Sequence, residues 1–358
     1  MTVRPTALYY HRDLSLYDLG VGHPFRGDRF EVFRQSVRSG GYESLLGFEV
    51  REAPRATDED LRTVHDGAYL ARLEQLAASG GNVSLDTPVN PGMLEAGRRI
   101  FGAGLAAADS VVKDPDTICV TLGGLHHAGR DYGEGFCVYN DIAGSARRLL
   151  DRHGLDRVMI LDSDAHQGNG TMDLFYAEPR VLFLSIHQSP ETLYPGRGFT
   201  HEIGSGAAKG HSVNVPLPPG ATRAHYDRVW ADVVRPVARQ FRPQVIIQNG
   251  GCDPLWDDPL TGLDLDMVDF EWLGSAYARL AQEVGCPLIS MFLSGYSTRI
   301  VQGWLAILRG IVEPDFPMGD DRIMADPPRE RRTPAWVDEY VDARIGELRE
   351  NLAPYWKL

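Results

Sequence analysis

The chain has 358 residues, 43% of them hydrophobic and 24% charged, which excludes a disordered or fibrous protein. Acidic residues exceed basic ones by 49 to 36, and the formal charge of −13 argues against non-specific nucleic-acid binding. That charge suits a cationic substrate or serves solubility alone. No apolar run reaches the length of a membrane span, the N-terminus lacks a signal core, and the four cysteines form no CxxC pair. We therefore predict a cytoplasmic protein that binds neither nucleic acid nor membrane.

Short, continuous apolar runs predict strands that are buried on both faces of a sheet. The five runs are TICVTLGG (117–124), RVMILDSD (157–164), RVLFLSIH (180–187), QVIIQNGG (244–251) and PLISMFLSG (287–295). Helical patterns accompany them at 60–78, 91–112, 140–154, 225–241 and 270–285. This alternation predicts an α/β fold with a parallel sheet and helices on both faces. A C-terminal amphipathic helix at 334–352 is predicted to dock on the core or on a neighbouring subunit.

Unusual polar residues follow each predicted strand. The segments are LHH, DSDAHQGNG, SIH, NGGCD and LSGY, in chain order. In an open α/β sheet, ligands bind beyond the carboxyl ends of the strands. We therefore expect a functional site at this edge.

The pattern at 162–166 predicts a metal centre. Asp164 and His166 are two residues apart at a strand end, so their side chains project to the same side. A carboxylate and an imidazole suit zinc or ferrous iron. Asp253 ends another strand and is the best third ligand, which leaves a position open for water, as in catalytic sites. The alternative is that D-x-D-x-H is a helix-capping cluster; Asp253 and the nearby histidines favour the metal.

Two adjacent histidines, His126 and His127, follow a glycine pair and suggest proton transfer, although a single histidine would more often be a core residue. Asp162 and Asn169 could orient their rings. The histidine whose partner is the neutral amide would be more readily neutral and fit to act as a base. Tyr296 follows Gly295 and could donate to a developing oxyanion, although alone it would be an ordinary tyrosine.

Five segments, GGLHHAGRDYGEGFCVYND, LDSDAHQGNGTMDLFY, SIHQSPETLYPGRG, NGGCDPLWDDPLTGL and LSGY, resemble the zinc-dependent histone deacetylase family. That family includes bacterial acetoin-utilisation-type deacetylases and acetylpolyamine amidohydrolases, and it shares its fold with arginase. The resemblance extends from about Tyr10 to about Trp304. It implies a single three-layer, arginase-like domain over residues 1–358 with an eight-stranded, mostly parallel sheet.

The resemblance also implies a role for each matching residue. It makes Asp164, His166 and Asp253 the zinc ligands, His127 the general base, His126 an electrostatic stabiliser, Asp162 and Asn169 their orienting partners, and Tyr296 the group that polarises the substrate carbonyl. It places Gly135, Phe136, Tyr194 and Leu260 in the acyl-lysine tunnel and Asp86 at its rim. It implies structural potassium, held by the side chain of Asp162, the backbone around Asp164 and His166, Ser185, and the backbone of Ile186.

Several positions depart from the family pattern. Tyr194 stands where phenylalanine is usual, which leaves the acyl-chain preference open. Asn169 replaces the aspartate of one branch, Gln167 stands where some branches have a second histidine, and Ser294 stands where glycine is common. None of these changes removes a catalytic group.

The expected function is removal of an acetyl or other acyl group from lysine side chains of proteins or peptides by metal-activated water, with zinc or ferrous iron. The alternative substrate is a small acetylated amine such as an acetylpolyamine, although the short AASGGNVSLD segment that ends at Asp86 favours an open rim. An arginase-like two-metal site lacks the further aspartates it needs, and a non-catalytic binding protein is disfavoured by the complete residue set. The sequence leaves self-association open.

Overall fold

The computed structural model describes residues 5–312, 326–329 and 333–358. The fold is α/β with an eight-stranded parallel sheet, as predicted, and residue contacts divide the chain into two compact units. The first comprises the described residues of Met1–Asp156, Gly168–Phe175 and Pro287–Leu293, and the second those of Arg157–Gln167, Tyr176–Cys286 and Ser294–Leu358. The single domain over 1–358 stays a prediction.

The first unit contains four strands of the large sheet, a short hairpin and seven α-helices, numbered in chain order. Its large-sheet strands are β1 (Thr6–Tyr10), β2 (Phe48–Glu52), β5 (Ile118–Thr121) and β10 (Leu288–Phe292), ordered β2-β1-β5-β10, and its hairpin pairs β3 (Asn82–Ser84) with β4 (Thr87–Pro88). Its helices are α1 (Asp28–Ser39), α2 (Tyr42–Leu46), α3 (Asp58–Arg62), α4 (Gly67–Ser79), α5 (Pro91–Lys113), α6 (Asp141–Arg147) and α7 (Asn169–Phe175). One turn of π-helix, Arg148–Arg152, extends α6.

The long helix α5 forms much of the core of the first unit. Asn90 caps its first turn, where the side chain accepts the amide of Met93, and Pro91 occupies the first helical position, where no amide donor is needed. The helix contacts β1, β5 and β10. Burial of this face on the parallel strands positions the carboxyl end of β5, from which the histidine pair follows.

The second unit contains the other four strands of the large sheet, β6 (Val158–Asp162), β7 (Val181–Gln188), β8 (Ser212–Leu217) and β9 (Val245–Gly250), ordered β9-β6-β7-β8. Its helices are α8 (Arg223–Val229), α9 (Arg235–Phe241), α10 (Met267–Val284), α11 (Ile300–Val312) and α12 (Ala335–Leu352). A π-helical segment, Trp230–Val234, joins α8 to α9, so the predicted single helix at 225–241 has a local irregularity. Among the described helices, none combines the length and hydrophobicity needed to cross a membrane.

Helix α12 packs within its own chain, against β8 and α8. Its buried residues are Val337, Val341, Ile345, Leu348 and Leu352. Polar contacts flank this stripe: the Tyr340 hydroxyl donates to Ser189 Oγ at 2.9 Å, and Thr200 Oγ1 donates to Glu347 at 2.7 Å.

We expect Leu348→Ala to lower the free energy of unfolding by about 2–4 kcal/mol, because it removes a buried side chain and leaves a cavity. Urea denaturation followed by circular dichroism measures this change. Glu350→Ala, an exposed position on the same helix, is the matched control and should alter stability by less than about 0.5 kcal/mol. Equal effects of the two variants would contradict the packing of α12.

Candidate active site

Asp164, His166 and Asp253 come together in the second unit. Each offers one ligand atom, and these three atoms lie within 4.8 Å of one another. β6 and β9 are parallel neighbours, paired in register from Val158–Val245 to Asp162–Asn249. The loops that carry the three residues therefore leave the same edge of the sheet, as the sequence pattern predicted.

The electrostatics of this cluster favour a bound cation. His166 Nδ1 lies 2.9 Å from Asp253 Oδ2 and 3.2 Å from Asp164 Oδ1. Burial by itself lowers the pKa of His166, but these contacts outweigh it and raise that pKa to about 10. Burial and the neighbouring Asp164 charge raise the pKa of Asp253. Two buried carboxylates exceed the charge of one imidazolium, and their oxygens with one imidazole nitrogen fit zinc or ferrous iron.

Neighbouring donors hold the cluster in place. Asp253 Oδ1 accepts the Ser294 hydroxyl at 3.1 Å and the Ala165 amide at 3.2 Å. The sequence marked Ser294 only as a departure from the family pattern, so its role as a partner of a ligand was missed. A methyl group on Gly251 would overlap Ser294, so the glycine pair at the end of β9 was the available signal of this close approach.

Asp258 is a second residue that sequence reasoning missed. Its buried carboxylate accepts the Tyr296 amide at 2.7 Å through Oδ2 and the Leu260 amide at 2.9 Å through Oδ1. Burial raises the pKa of Asp258 to about 6, although both amides oppose this shift. The contacts join the loop that follows Asp253 to the loop that carries Tyr296.

The remaining nominated residues of the second unit are Asp162 and Tyr194. Asp162 Oδ1 accepts the Asp164 amide at 3.2 Å and the Asn249 side-chain amide at 3.0 Å. Tyr194 is 40% exposed, and its ring centroid lies 6.5 Å from that of His166. The Tyr194 ring is therefore exposed beside the imidazole of a predicted metal ligand.

The histidine pair lies in the first unit, after β5. His126 and His127 are buried, with ring centroids 4.1 Å apart, and His127 Nδ1 lies 2.7 Å from Asn169 Oδ1. The turn before the pair is held by buried Asp141, which accepts the amides of Gly124 and Leu125 at 3.0 and 2.8 Å. Burial raises the pKa of Asp141 to about 6. Sequence reasoning did not single out Asp141, because its partners are backbone amides.

Asp86 and Phe136 are connected in the same unit. Asp86 Oδ1 accepts the hydroxyls of Ser84 and Thr87 at 2.6 and 2.9 Å, and Thr87 Oγ1 accepts the Phe136 amide at 2.9 Å. His23, which sequence reasoning missed, meets the Phe136 ring edge-on at 4.5 Å and lies 3.3 Å from the Asp86 carbonyl through Nε2. Asp86 and Phe136, predicted as a rim and a wall residue, are therefore connected through Thr87.

The structure distributes the nominated residues over the two units. The first unit holds Asp86, His126, His127, Gly135, Phe136 and Asn169, and the second holds Asp162, Asp164, His166, Tyr194, Asp253, Leu260 and Tyr296.

A comparison with known families returns the Histone deacetylase domain, matched over residues 23–311, which is more than half of the chain. The chain belongs to the histone deacetylase domain family. With the cluster of Asp164, His166 and Asp253, it is a deacetylase-family hydrolase with a metal-binding site. The resemblance inferred from the motifs is confirmed.

Individual members of the deacetylase family align over most of this chain. A probable deacetylase of Archaeoglobus fulgidus is 32% identical over 295 residues, which cover 82% of this chain and 81% of the relative. The histone deacetylase-like amidohydrolase of Pseudomonas aeruginosa is 36% identical, covering 71% and 67%, and the acetoin utilization protein AcuC of Staphylococcus aureus is 34% identical, covering 72% and 68%. The crystal structure of the HDA15 HD domain has a TM-score of 0.81 at 22% identity, covering 99% and 96%, and supports the fold.

A substitution at Gly135 tests whether the position of the His127 ring is fixed by close packing. Its φ is +54°, and a Cβ there would lie 2.7 Å from Cγ of His127. Gly206 has nearly the same φ, +56°, but a Cβ there would meet no atom of the described residues within 4 Å. Both alanine variants should lose about 1 kcal/mol of stability from the backbone alone.

Only Gly135→Ala should also displace the imidazole, and we expect its deacetylation rate to fall about 100-fold. Measurement of kcat/KM and of urea denaturation for both variants separates the two effects. An active Gly135→Ala enzyme would show that the ring has room to move.

Proposed function

We propose that this deacetylase removes acetyl or other acyl groups from lysine side chains of proteins or peptides. The observation that carries the proposal is the cluster of half-buried His166 with buried Asp164 and Asp253 in a chain of this family. A bound zinc or ferrous ion would supply Lewis-acid polarisation of the acyl carbonyl and lower the pKa of water. The same residues would hold either metal, since both accept carboxylate and imidazole ligands.

The chain's own residues would move the protons. His127, with Nδ1 directed at Asn169, would take a proton from the attacking water through Nε2. The Tyr296 hydroxyl would donate to the substrate oxygen as negative charge develops on it. A protonated histidine, with His126 as electrostatic stabiliser, would return the proton to the leaving amine. The products are a carboxylate and a free amine.

The proposed substrate path uses Gly135, Phe136, Tyr194 and Leu260 as tunnel residues and Asp86 at the rim. The segment between α4 and α5 is short: one hairpin, with Leu85 fully exposed at its turn. A short hairpin supports an open rim that admits a protein or peptide. A small acetylated amine is the second candidate, supported by the net charge of −13.

Potassium is a further part of the proposal. Asp162 and Ser185 are register partners on neighbouring strands, and both are buried. With the backbone of Asp164, His166 and Ile186 they would offer only oxygen ligands, which suits a hard monovalent cation. Ser185 Oγ also lies 2.8 Å from His187 Nδ1, which fixes its rotamer.

The zinc-loaded protein should hydrolyse an acetyl-lysine peptide with a higher kcat/KM than N-acetylputrescine or a long-chain acyl-lysine peptide. Chelator treatment should abolish the activity and added zinc should restore it. Preference for N-acetylputrescine would assign the enzyme to the polyamine branch. Absence of turnover on every substrate by metal-loaded protein would refute the catalytic proposal.

Tyr296→Phe should lower kcat by about 100- to 1000-fold, because it removes one donor to the developing oxyanion. The control is Tyr355→Phe, which removes the hydroxyl of an exposed tyrosine in the C-terminal segment and should leave kcat unchanged. Near-normal turnover by Tyr296→Phe would remove this residue from the mechanism.

A further inference from the structure

Asn169, which forms a hydrogen bond with His127, also forms one with Glu134. Asn169 Nδ2 donates to Glu134 Oε1 at 2.6 Å, while Asn169 Oδ1 lies 2.7 Å from His127 Nδ1. His127 and Asn169 are buried, and Glu134 is half-buried. All three residues belong to the first unit. The histidine is therefore the inner end of a row that ends in a carboxylate.

The hydrogen-bonding groups of Glu134 and Asn169 determine which ring nitrogen of His127 carries the proton. An ionised carboxylate only accepts hydrogen bonds, so Glu134 must face the NH2 group of Asn169. The amide oxygen is then turned toward His127, and because an oxygen only accepts, Nδ1 of His127 must carry the proton. In a neutral imidazole this leaves Nε2 as the basic nitrogen.

The turn that carries Glu134 is itself well defined. The Cys137 amide donates to the Glu134 carbonyl at 2.9 Å, and Gly135 and Phe136 between them have φ of +54° and +70°. The backbone of Gly135 packs against the His127 ring, and the Phe136 amide donates to Thr87. One turn thus places both the carboxylate behind Asn169 and a surface against the imidazole.

We propose that Glu134 is a positioning residue that sets the amide orientation of Asn169 and thereby the tautomer in which His127 acts as a base. The consequence for catalysis rests on the proposed function of His127. Without the carboxylate, the Asn169 amide could rotate by 180° and present its NH2 group to Nδ1. The proton of the neutral ring would then lie on Nε2, and the ring could not accept a proton there.

Glu134 and Asn169 form a matched pair. An aspartate at 169 would accept from His127 in either orientation and would need no partner to orient it. It would, however, face Glu134 across the present 2.6 Å contact, and two carboxylates at that distance repel each other. Each residue is therefore suited to the other, and the two substitutions should compensate.

The test compares Glu134→Gln, Asn169→Asp and the double variant, all zinc-loaded, by kcat/KM on the best substrate. We expect each single variant to lose about 10-fold, because a charge-assisted hydrogen bond is lost or a repulsion is created. The double variant should return to within about 3-fold of the wild type. Asp131→Asn, which removes an exposed charge from the same loop, is the control and should have no effect.

A second readout is independent of turnover. Nitrogen-15 NMR of labelled histidine, with His127 assigned by loss of its signals in His127→Ala, reports which ring nitrogen is protonated. We expect Nδ1–H in the wild type and the double variant, and a substantial Nε2–H population in Glu134→Gln.

An unchanged tautomer in Glu134→Gln, or additive losses in the double variant, would overturn the role of Glu134. If the wild type turns over no substrate, the proposed function fails, but the NMR result still decides the role of Glu134.

Discussion

The burial of two carboxylates against one imidazole is the constraint on which the second unit depends. Asp164 and Asp253 both approach Nδ1 of His166, and a low-dielectric interior does not hold such a concentration of negative charge without compensation. The Ser294 hydroxyl and the amide of Ala165 supply part of it. A bound divalent cation would supply the rest. The parallel register of β6 and β9 and the close-packed glycines at the end of β9 place these groups together.

Two other buried carboxylates accept hydrogen bonds from backbone amides and so fix the conformation of loops. Asp141 accepts amides of the turn before the histidine pair, and Asp258 accepts the amides of Leu260 and Tyr296. Burial raises the pKa of both to about 6. A carboxylate can accept hydrogen bonds from several backbone amides at once, and it can therefore stabilise the conformation of a loop. The loops that carry the reactive side chains are thus fixed through their main chain and their side chains remain available for chemistry.

The sequence predicted the elements whose signal is local. β5, β6, β7, β9 and β10 were found because each contains adjacent large apolar residues. The other strands of the large sheet were missed: TALYY of β1 has only Ala7 and Leu8 as aliphatic residues, β2 is buried only at its first residue, and Asn214 and Pro216 separate the apolar residues of β8.

The site residues that were predicted also have a local sequence signal, and those that were missed do not. Asp164 and His166 were predicted because a spacing of two at a strand end is visible in the sequence. Glu134, Asp141, Asp258 and Ser294 act on backbone amides or on side chains 16 to 41 residues away, and no periodicity records such contacts.

The net charge of −13 says less about the substrate than the sequence suggested. Six of the described aspartates are buried, namely Asp141, Asp162, Asp164, Asp253, Asp258 and Asp269. Half-buried acids such as Asp109 and Asp326 are paired with arginines. In the proposed function, substrate choice would depend on the rim, where Asp86 Oδ1 is already held by two hydroxyls beside an exposed Leu85. A fixed acceptor next to an apolar tip suits the backbone amide and side chains of a peptide better than the separated cationic nitrogens of a polyamine.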